Sequence, residues 1–231
     1  MKKRLAFLGL LLVLALGGAA WLFLSRESPA ERPAGPFPAT TGATSRPDAA
    51  TPSRAWAVRL DRPGLPNLHR VSDTLFRGAQ PEENGFAELE KMGIRTVVNL
   101  RSAHSDREML AGTRLLYVEI PITASKVTGE AVVYFLRIAG DPARAPVFVH
   151  CQHGADRTGV MCAFYRVVLQ DWSREEAIDE MTGGGFGFHS IYLSTLVPMV
   201  RAADPARLRR LSGSVLRTAP AAGQPLEAEA P

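Results

Sequence analysis

The stretch His150-Cys151-Gln152-His153-Gly154-Ala155-Asp156-Arg157-Thr158-Gly159 decides how this chain is read. It follows Val147-Phe148-Val149-His150, a short apolar, β-branched run introduced by Pro146, which predicts a buried strand. From Arg157 to Leu169 apolar residues recur at helical spacing, so the loop closes directly onto a helix. A tight turn between strand and helix aims successive backbone N–H groups at one point. The helix N-terminus adds roughly half a positive charge there. An anion is the natural guest, and a cysteine delivered to the same point has its thiolate form stabilised. Arg157 is the side chain in the loop whose planar fork grips two oxygens of a phosphate together. Gly154 lets the loop turn where a Cβ obstructs, and the Thr158 hydroxyl is placed to donate to the Cys151 sulfur.

Outward from this loop, strand and helix patterns alternate. Leu75-Phe76-Arg77 predicts a short strand, and Pro81 opens a helix carrying Phe86, Leu89 and Met92, stopped by Gly93. Thr96-Val97-Val98-Asn99-Leu100 predicts a buried strand, and Leu115 to Ile120 another that ends at Pro121. Val127 to Ala139 has helical spacing, as do Arg174 to Met181 and Tyr192 to Ala202. Alternating strands and helices predict an α/β sandwich around a central, mostly parallel sheet flanked by helices.

The ends differ from this body. Leu5 to Leu24 is an uncharged, largely apolar run preceded by Lys2, Lys3 and Arg4. At ~1.5 Å per residue it spans ~30 Å, a bilayer's hydrocarbon thickness. A cleaved signal peptide is the competing reading, with Gly17-Gly18-Ala19-Ala20 as its small residues, but Trp21-Leu22-Phe23-Leu24 continues the apolar run. An uncleaved transmembrane signal-anchor is preferred. The basic residues before it, set against Arg26 after it, place the N-terminus in the cytoplasm and the remainder outside. The expected order is a basic N-terminus (1–4), a transmembrane helix (5–24), a Pro/Ala/Thr-rich linker (25–66), a catalytic domain (67–212) and a flexible tail (213–231).

The formal charge of +4 is modest, and basic residues gather towards the two ends, including Arg207, Arg209, Arg210 and Arg217. No basic run interleaved with aromatics marks a nucleic-acid face. Two cysteines, Cys151 and Cys162, supply neither a disulfide framework nor a zinc site, and Cys162 reads as a small buried hydrophobe.

The loop resembles the H-C-x-x-G-x-x-R-[ST]-G motif of the cysteine-based protein tyrosine and dual-specificity phosphatase superfamily, matching at His150, Cys151, Gly154, Arg157, Thr158 and Gly159. Phe76-Arg77-Gly78-Ala79-Gln80-Pro81 and Val97-Val98-Asn99-Leu100-Arg101 look like segments of its compact, atypical dual-specificity-like branch. The resemblance covers roughly Leu68 to Leu196. It implies in-line attack by Cys151 on phosphorus, protonation of the leaving oxygen by a general acid, and hydrolysis of a phosphocysteine by water, with no metal or cofactor. Gln152, His153, Gly154, Ala155, Thr158 and Gly159 would line the substrate phosphate, and His150 would tune the thiolate from behind.

Family members commonly carry the acid as an aspartate about thirty residues before the cysteine. Here that region, Pro121-Ile122-Thr123-Ala124-Ser125-Lys126, has no carboxylate. Asp156, just before the loop arginine, is the first candidate, as in myotubularin-like enzymes; Asp106, Glu119 and Glu130 stand behind it. His189, in Gly183-Gly184-Gly185-Phe186-Gly187-Phe188-His189, reads as part of a structural turn, while Phe186 and Phe188 are candidate walls for an aryl substrate. The expected partner is a phosphorylated protein (phosphotyrosine or dual-specificity) or a small phosphate monoester. Absence of lysine inside the loop argues against polyphosphorylated substrates, though a lipid or inositol phosphate stays open. So do a phosphate-binding pseudophosphatase, which p-nitrophenyl phosphate turnover would exclude, and a rhodanese-like sulfurtransferase, which thiosulfate turnover would reveal.

Overall fold

The computed structural model describes residues 54–213. The run 5–24 lies outside the described residues, as does most of the expected linker. Among the described residues no helix is long and apolar enough to cross a membrane.

The strands are β1 (Val58–Arg59), β2 (His69–Arg70), β3 (Leu75–Gly78), β4 (Thr96–Arg101), β5 (Leu116–Ile122) and β6 (Val147–His150). The helices are α1 (Gly85–Lys91), α2 (Gly129–Gly140), α3 (Asp156–Leu169), α4 (Arg174–Gly183), α5 (Leu193–Arg201) and α6 (Pro205–Ser212), with a 3-10 turn at Ser190–Tyr192. The sheet order is β1-β2-β3-β6-β4-β5. β3, β6, β4 and β5 are parallel, and β2 and β1 add an antiparallel margin. The sheet is therefore mixed, with a parallel centre.

Strand periodicity sorts side chains to two cores. Val147 and Val149 of β6 face one core, with Val98 and Leu100 of β4 and the apolar faces of α2, α3, α4 and α5. Phe148 and Val97 face the other, with Leu65, Leu68, Phe86 and Leu89. β6 is buried at every position because it lies between β3 and β4 and is covered on both sides. Its C-terminal end, where Cys151 follows, thus leaves from the centre of the sheet.

Four boundaries depart from expectation for identifiable reasons. β5 runs through Pro121 because it is an edge strand, where a missing N–H costs no ladder bond. The sheet begins at Val58, inside the stretch expected to be linker. There the Ala57 N–H donates to Glu180 Oε1 at 2.6 Å, and Glu180 itself forms a buried pair with Arg166, 2.6 Å away. Finally, α6 is a separate helix: the Asp204 side chain caps it through the Arg207 N–H at 2.9 Å, Pro205 occupies its first turn, and Gly213 closes it at φ 63°. α1 starts at Gly85 rather than Pro81, because the Glu82 N–H is turned to the Gly64 carbonyl at 2.9 Å.

Candidate active site

The loop from Cys151 to Ala155 is shaped by what its carbonyls bond. The Gln152 carbonyl accepts from the Gln80 N–H at 3.2 Å, and the His153 carbonyl from Asn67 Nδ2 at 2.9 Å. The Gly154 carbonyl accepts from Arg77 Nη2 at 2.7 Å. The Ala155 carbonyl takes the first helical bond, from the Gly159 N–H at 2.7 Å, with Arg77 at 3.4 Å. The Cys151 carbonyl lies 3.3 Å from His150 Nδ1. In a planar trans peptide the following N–H points opposite to the carbonyl. Carbonyls held outward therefore turn the N–H groups of residues 152 to 156 inward, to the side where Cys151 emerges. Such a cradle of main-chain N–H groups suits an anion.

Gly154 makes the turn possible. It sits at φ 69°, and a Cβ there would stand 2.5 Å from the Gly78 carbonyl carbon and oxygen. The loop is thus pressed onto the end of β3, the strand that carries Arg77. Gly159 lets α3 approach α4, since a Cβ would meet Met181 at 3.1 Å.

Cys151 is buried at the base of the cradle and Ala155 is buried beside it, whereas the Gln152 and His153 side chains are exposed. Arg157 is half-buried and reaches the Ile122 carbonyl at the end of β5 over 3.4 Å. Thr158 Oγ1 is buried with no hydrogen-bond partner among the described residues, so the donation to Cys151 expected from the sequence is not formed here. Cys162 lies fully inside the core, where burial pushes its thiol up to about 11, as suits an inert hydrophobe.

Behind the cysteine, His150 is fully buried, stacked on Phe148 with ring centroids 5.7 Å apart. Its Nε2 lies 3.0 Å from Asp106 Oδ2, at an angle too bent for a full hydrogen bond. Asp106 also accepts from Gln80 Nε2 at 2.7 Å and from the Tyr117 hydroxyl at 3.3 Å, with His104 Nε2 at 3.2 Å. Burial pushes the Asp106 carboxyl up, but His150, Gln80 and His104 together outweigh it and hold it below the usual carboxylate range. Asp106 is thus an ionised anchor for His150.

A depressed folded pKa means this stabilisation is complete above the unfolded value, about 3.9, and is lost as pH falls through the lower folded value. Asp106→Asn is therefore expected to flatten the acid side of the urea-midpoint profile below about pH 4. An acid slope equal to that of the parent chain would refute the assignment.

The other carboxylates are occupied elsewhere. Glu119 accepts from the Ser105 hydroxyl at 2.5 Å and the Tyr117 hydroxyl at 3.1 Å. Glu130 is exposed in the first turn of α2. Asp156 is buried, and His189 takes both of its oxygens: the His189 N–H donates to Oδ1 at 2.9 Å and Nδ1 lies 2.8 Å from Oδ2. Phe186 is buried beneath the Arg77 guanidinium, 3.7 Å from ring centroid to Cζ, and Phe188 packs on the larger core. Phe186 is thus not free to wall a substrate pocket, while Phe188 is half-buried. Nearby lie the exposed His153 and His189 and the half-buried Tyr192, the first two rings 5.6 Å apart and the last two 6.5 Å.

The family described as DSP-PTPase phosphatase fused to NAD+ kinase matches residues 64–197, which contain the cradle and most of the loops around it. The chain belongs to the DSP-PTPase family. Its cysteine chemistry is that of a phosphatase. The dual-specificity protein phosphatase TpbA of Pseudomonas aeruginosa strain UCBPP-PA14 is 36% identical over 187 residues, covering 80% of this chain and 76% of that protein. The TpbA of strain PAO1 is 39% identical over 140 residues, 60% of this chain and 63% of that one, so this match spans less than two thirds of the relative. A crystal structure of P. aeruginosa TpbA superposes with a TM-score of 0.61 at 35% identity, covering 70% of this chain and 99% of that one. TpbA has also been solved as a cysteine-to-serine variant in complex with pTyr, at 35% identity and the same TM-score of 0.61, covering 71% of this chain and 99% of that one. The catalytic core of Siw14, at 18% identity and TM-score 0.58 (67% of this chain, 95% of that one), shares the DSP-PTPase fold.

Three residues that build the DSP-PTPase cradle escaped the motif: Asn67, Arg77 and Gln80. For Arg77 a signal was present, since an arginine inside a buried strand needs a specific partner.

Proposed function

We infer that this chain hydrolyses phosphotyrosine on protein substrates through a phosphocysteine on Cys151, and that residues 5–24 tether it to a membrane with the catalytic domain outside the cytoplasm. The observation that carries the reading is the loop whose carbonyls are bonded from outside, which turns its main-chain N–H groups towards the buried Cys151, with Arg157 in the first turn of the helix that follows. Such preorganised donors meet the charge of a transferring phosphoryl group without reorganising. The ring-lined rim of His153, His189 and Tyr192 suits an aryl ester, and the related TpbA binds pTyr.

Several more distant relatives are inositol diphosphatases, among them one from Arabidopsis thaliana that is 26% identical over 129 residues. The cradle interior here offers Gln152, His153, Ala155 and Asp156, without a lysine for further phosphates. The test is the full chain recovered from the membrane fraction, assayed on tyrosine-phosphorylated peptides and on inositol pyrophosphates at equal concentration. Peptide turnover is expected to exceed the other by at least about tenfold in kcat/KM, which corresponds to ~1.4 kcal/mol. Preference for the pyrophosphate overturns the substrate assignment, and recovery in the soluble fraction overturns the tether.

A further inference from the structure

The loop between β5 and α2, where the resemblance places a general acid, has no carboxylate, and the carboxylates nearest the cradle are committed elsewhere. What the structure does hold at the cradle's rim is a histidine in a fixed pose. Asp156 grips His189 at two points, the main-chain N–H on Oδ1 at 2.9 Å and ring Nδ1 on Oδ2 at 2.8 Å. Asp156 immediately precedes Arg157 and opens α3, so the grip is tied to the phosphate-binding loop itself. The other face of the ring meets His153 of the loop at 5.6 Å and Tyr192 at 6.5 Å. The side chain is nevertheless 47% exposed, and among the described residues nothing bonds Nε2.

The segment carrying His189 is registered to the cradle by the same two residues that shape the cradle. Asn67 Nδ2 donates to both the His153 carbonyl and the Phe186 carbonyl, each at 2.9 Å. Arg77 bonds the Gly154 carbonyl at 2.7 Å while its guanidinium covers the Phe186 ring at 3.7 Å. Gly185 and Gly187, at φ 78° and 80°, let the chain bend so that Phe186 enters the core and His189 returns to the rim. A purely structural turn has no need of two clamps shared with a phosphate site.

We propose that His189 is the proton-transfer residue of this phosphatase and that Asp156 is its positioning residue, an inference that rests on the phosphocysteine reading above. In the first step the Cys151 sulfur forms its bond to phosphorus as the ester P–O bond breaks. The leaving oxygen takes the Nε2 proton of a doubly protonated His189, whose Nδ1–H stays on Asp156. In the second step the now neutral Nε2 accepts a proton from water as the water oxygen bonds phosphorus. The P–S bond breaks, the thiolate returns, and inorganic phosphate leaves. The groups facing the ring are Asp156 from α3, His153 from the preceding loop and Tyr192 from the 3-10 turn; Asp156 is the charged one and holds the tautomer.

The test compares two esters in the full chain: p-nitrophenyl phosphate, whose leaving group departs readily unprotonated, and phenyl phosphate, whose leaving group does not. General acid catalysis contributes ~10²–10⁴-fold, so His189→Gln is expected to cost at least ~100-fold in kcat/KM, which reports the first step, on phenyl phosphate and ~10-fold or less on the nitro ester. Asp156→Asn, which keeps the acceptor for the His189 N–H, should show the same selective loss, and the double variant should be little worse than either single one. The fall of parent kcat/KM on the basic side of the phenyl phosphate pH profile should vanish in His189→Gln. Equal losses of kcat/KM on both esters, or no loss on either while Cys151-dependent turnover persists, overturns the role of His189 and leaves the phosphatase reading standing. Absence of turnover of either ester by the parent chain would instead defeat that reading.

Discussion

Cys151→Ser is expected to abolish phosphate release while leaving phosphotyrosine peptide binding within about threefold of the parent chain, well under the ~1.4 kcal/mol that a tenfold change represents. Serine keeps the shape of the side chain at the base of the cradle. What disappears is the sulfur that, on the proposed mechanism, forms the bond to phosphorus. Loss of a covalent nucleophile elsewhere costs of order 10⁶ in kcat, and the other thiol, that of Cys162, is sealed in the core and pushed up to about 11. Binding rests on other atoms: the N–H groups turned inward by the carbonyl clamps, and the Arg157 guanidinium, none of which the substitution touches. Titration calorimetry with a tyrosine-phosphorylated peptide, beside a phosphate-release assay, separates the two quantities. Residual turnover above about one part in a thousand would mean that another group attacks phosphorus. Loss of binding in step with turnover would mean that the sulfur, and not the cradle, holds the ligand.

The parts of this site that sequence reveals are those that chemistry forces to be neighbours along the chain. Cys151, Gly154, Arg157 and Gly159 belong to one turn, so one turn of sequence exposes them. The remaining parts come from four other loops that meet at the C-terminal end of the sheet: Asn67 before β2, Gln80 after β3, Asp106 after β4 and His189 after α4. Each is an ordinary polar residue in its local context, and its partner lies far away in sequence. Asp156, at a position the motif leaves open, has both oxygens on His189, a residue whose glycine-rich surroundings read only as a turn.

The fold obeys the same division. Val147–His150 and Thr96–Arg101 are long on β-branched residues and buried on both faces, so their sequences alone identify strands. β1 and β2 are two-residue strands among prolines, and no local pattern of that length competes with its flanks. Pro121 suggested a strand end because the sequence does not say which strand lies at the edge of a sheet. The Asp204-Pro205 pair did carry a helix-start signal for α6; it is obscured by the apolar run of α5 that precedes it.

Arg77 is where these two divisions meet, and its removal should have an effect out of proportion to its distance from the substrate. It is 1% exposed, and its hydrogen bonds go to loop carbonyls. It holds the Gly154 carbonyl, supports that of Ala155, and roofs Phe186. Arg77→Met preserves much of the volume but removes every donor. The Gly154 carbonyl is then buried and unpaired beside Gly78, and the cheapest relief is rotation of its peptide plane, which carries the Ala155 N–H out of the cradle. Losing one preorganised donor costs ~10²–10³ in rate where an oxyanion is stabilised, so kcat/KM should fall by about that factor. Affinity for orthovanadate, which uses the same donors, should fall with it. A merely destabilising role gives a different result: a lowered unfolding midpoint with kcat/KM and vanadate affinity intact well below that midpoint. That outcome would detach Arg77 from the cradle, and with it the argument that outward-held carbonyls are what turn the loop's amides toward the anion.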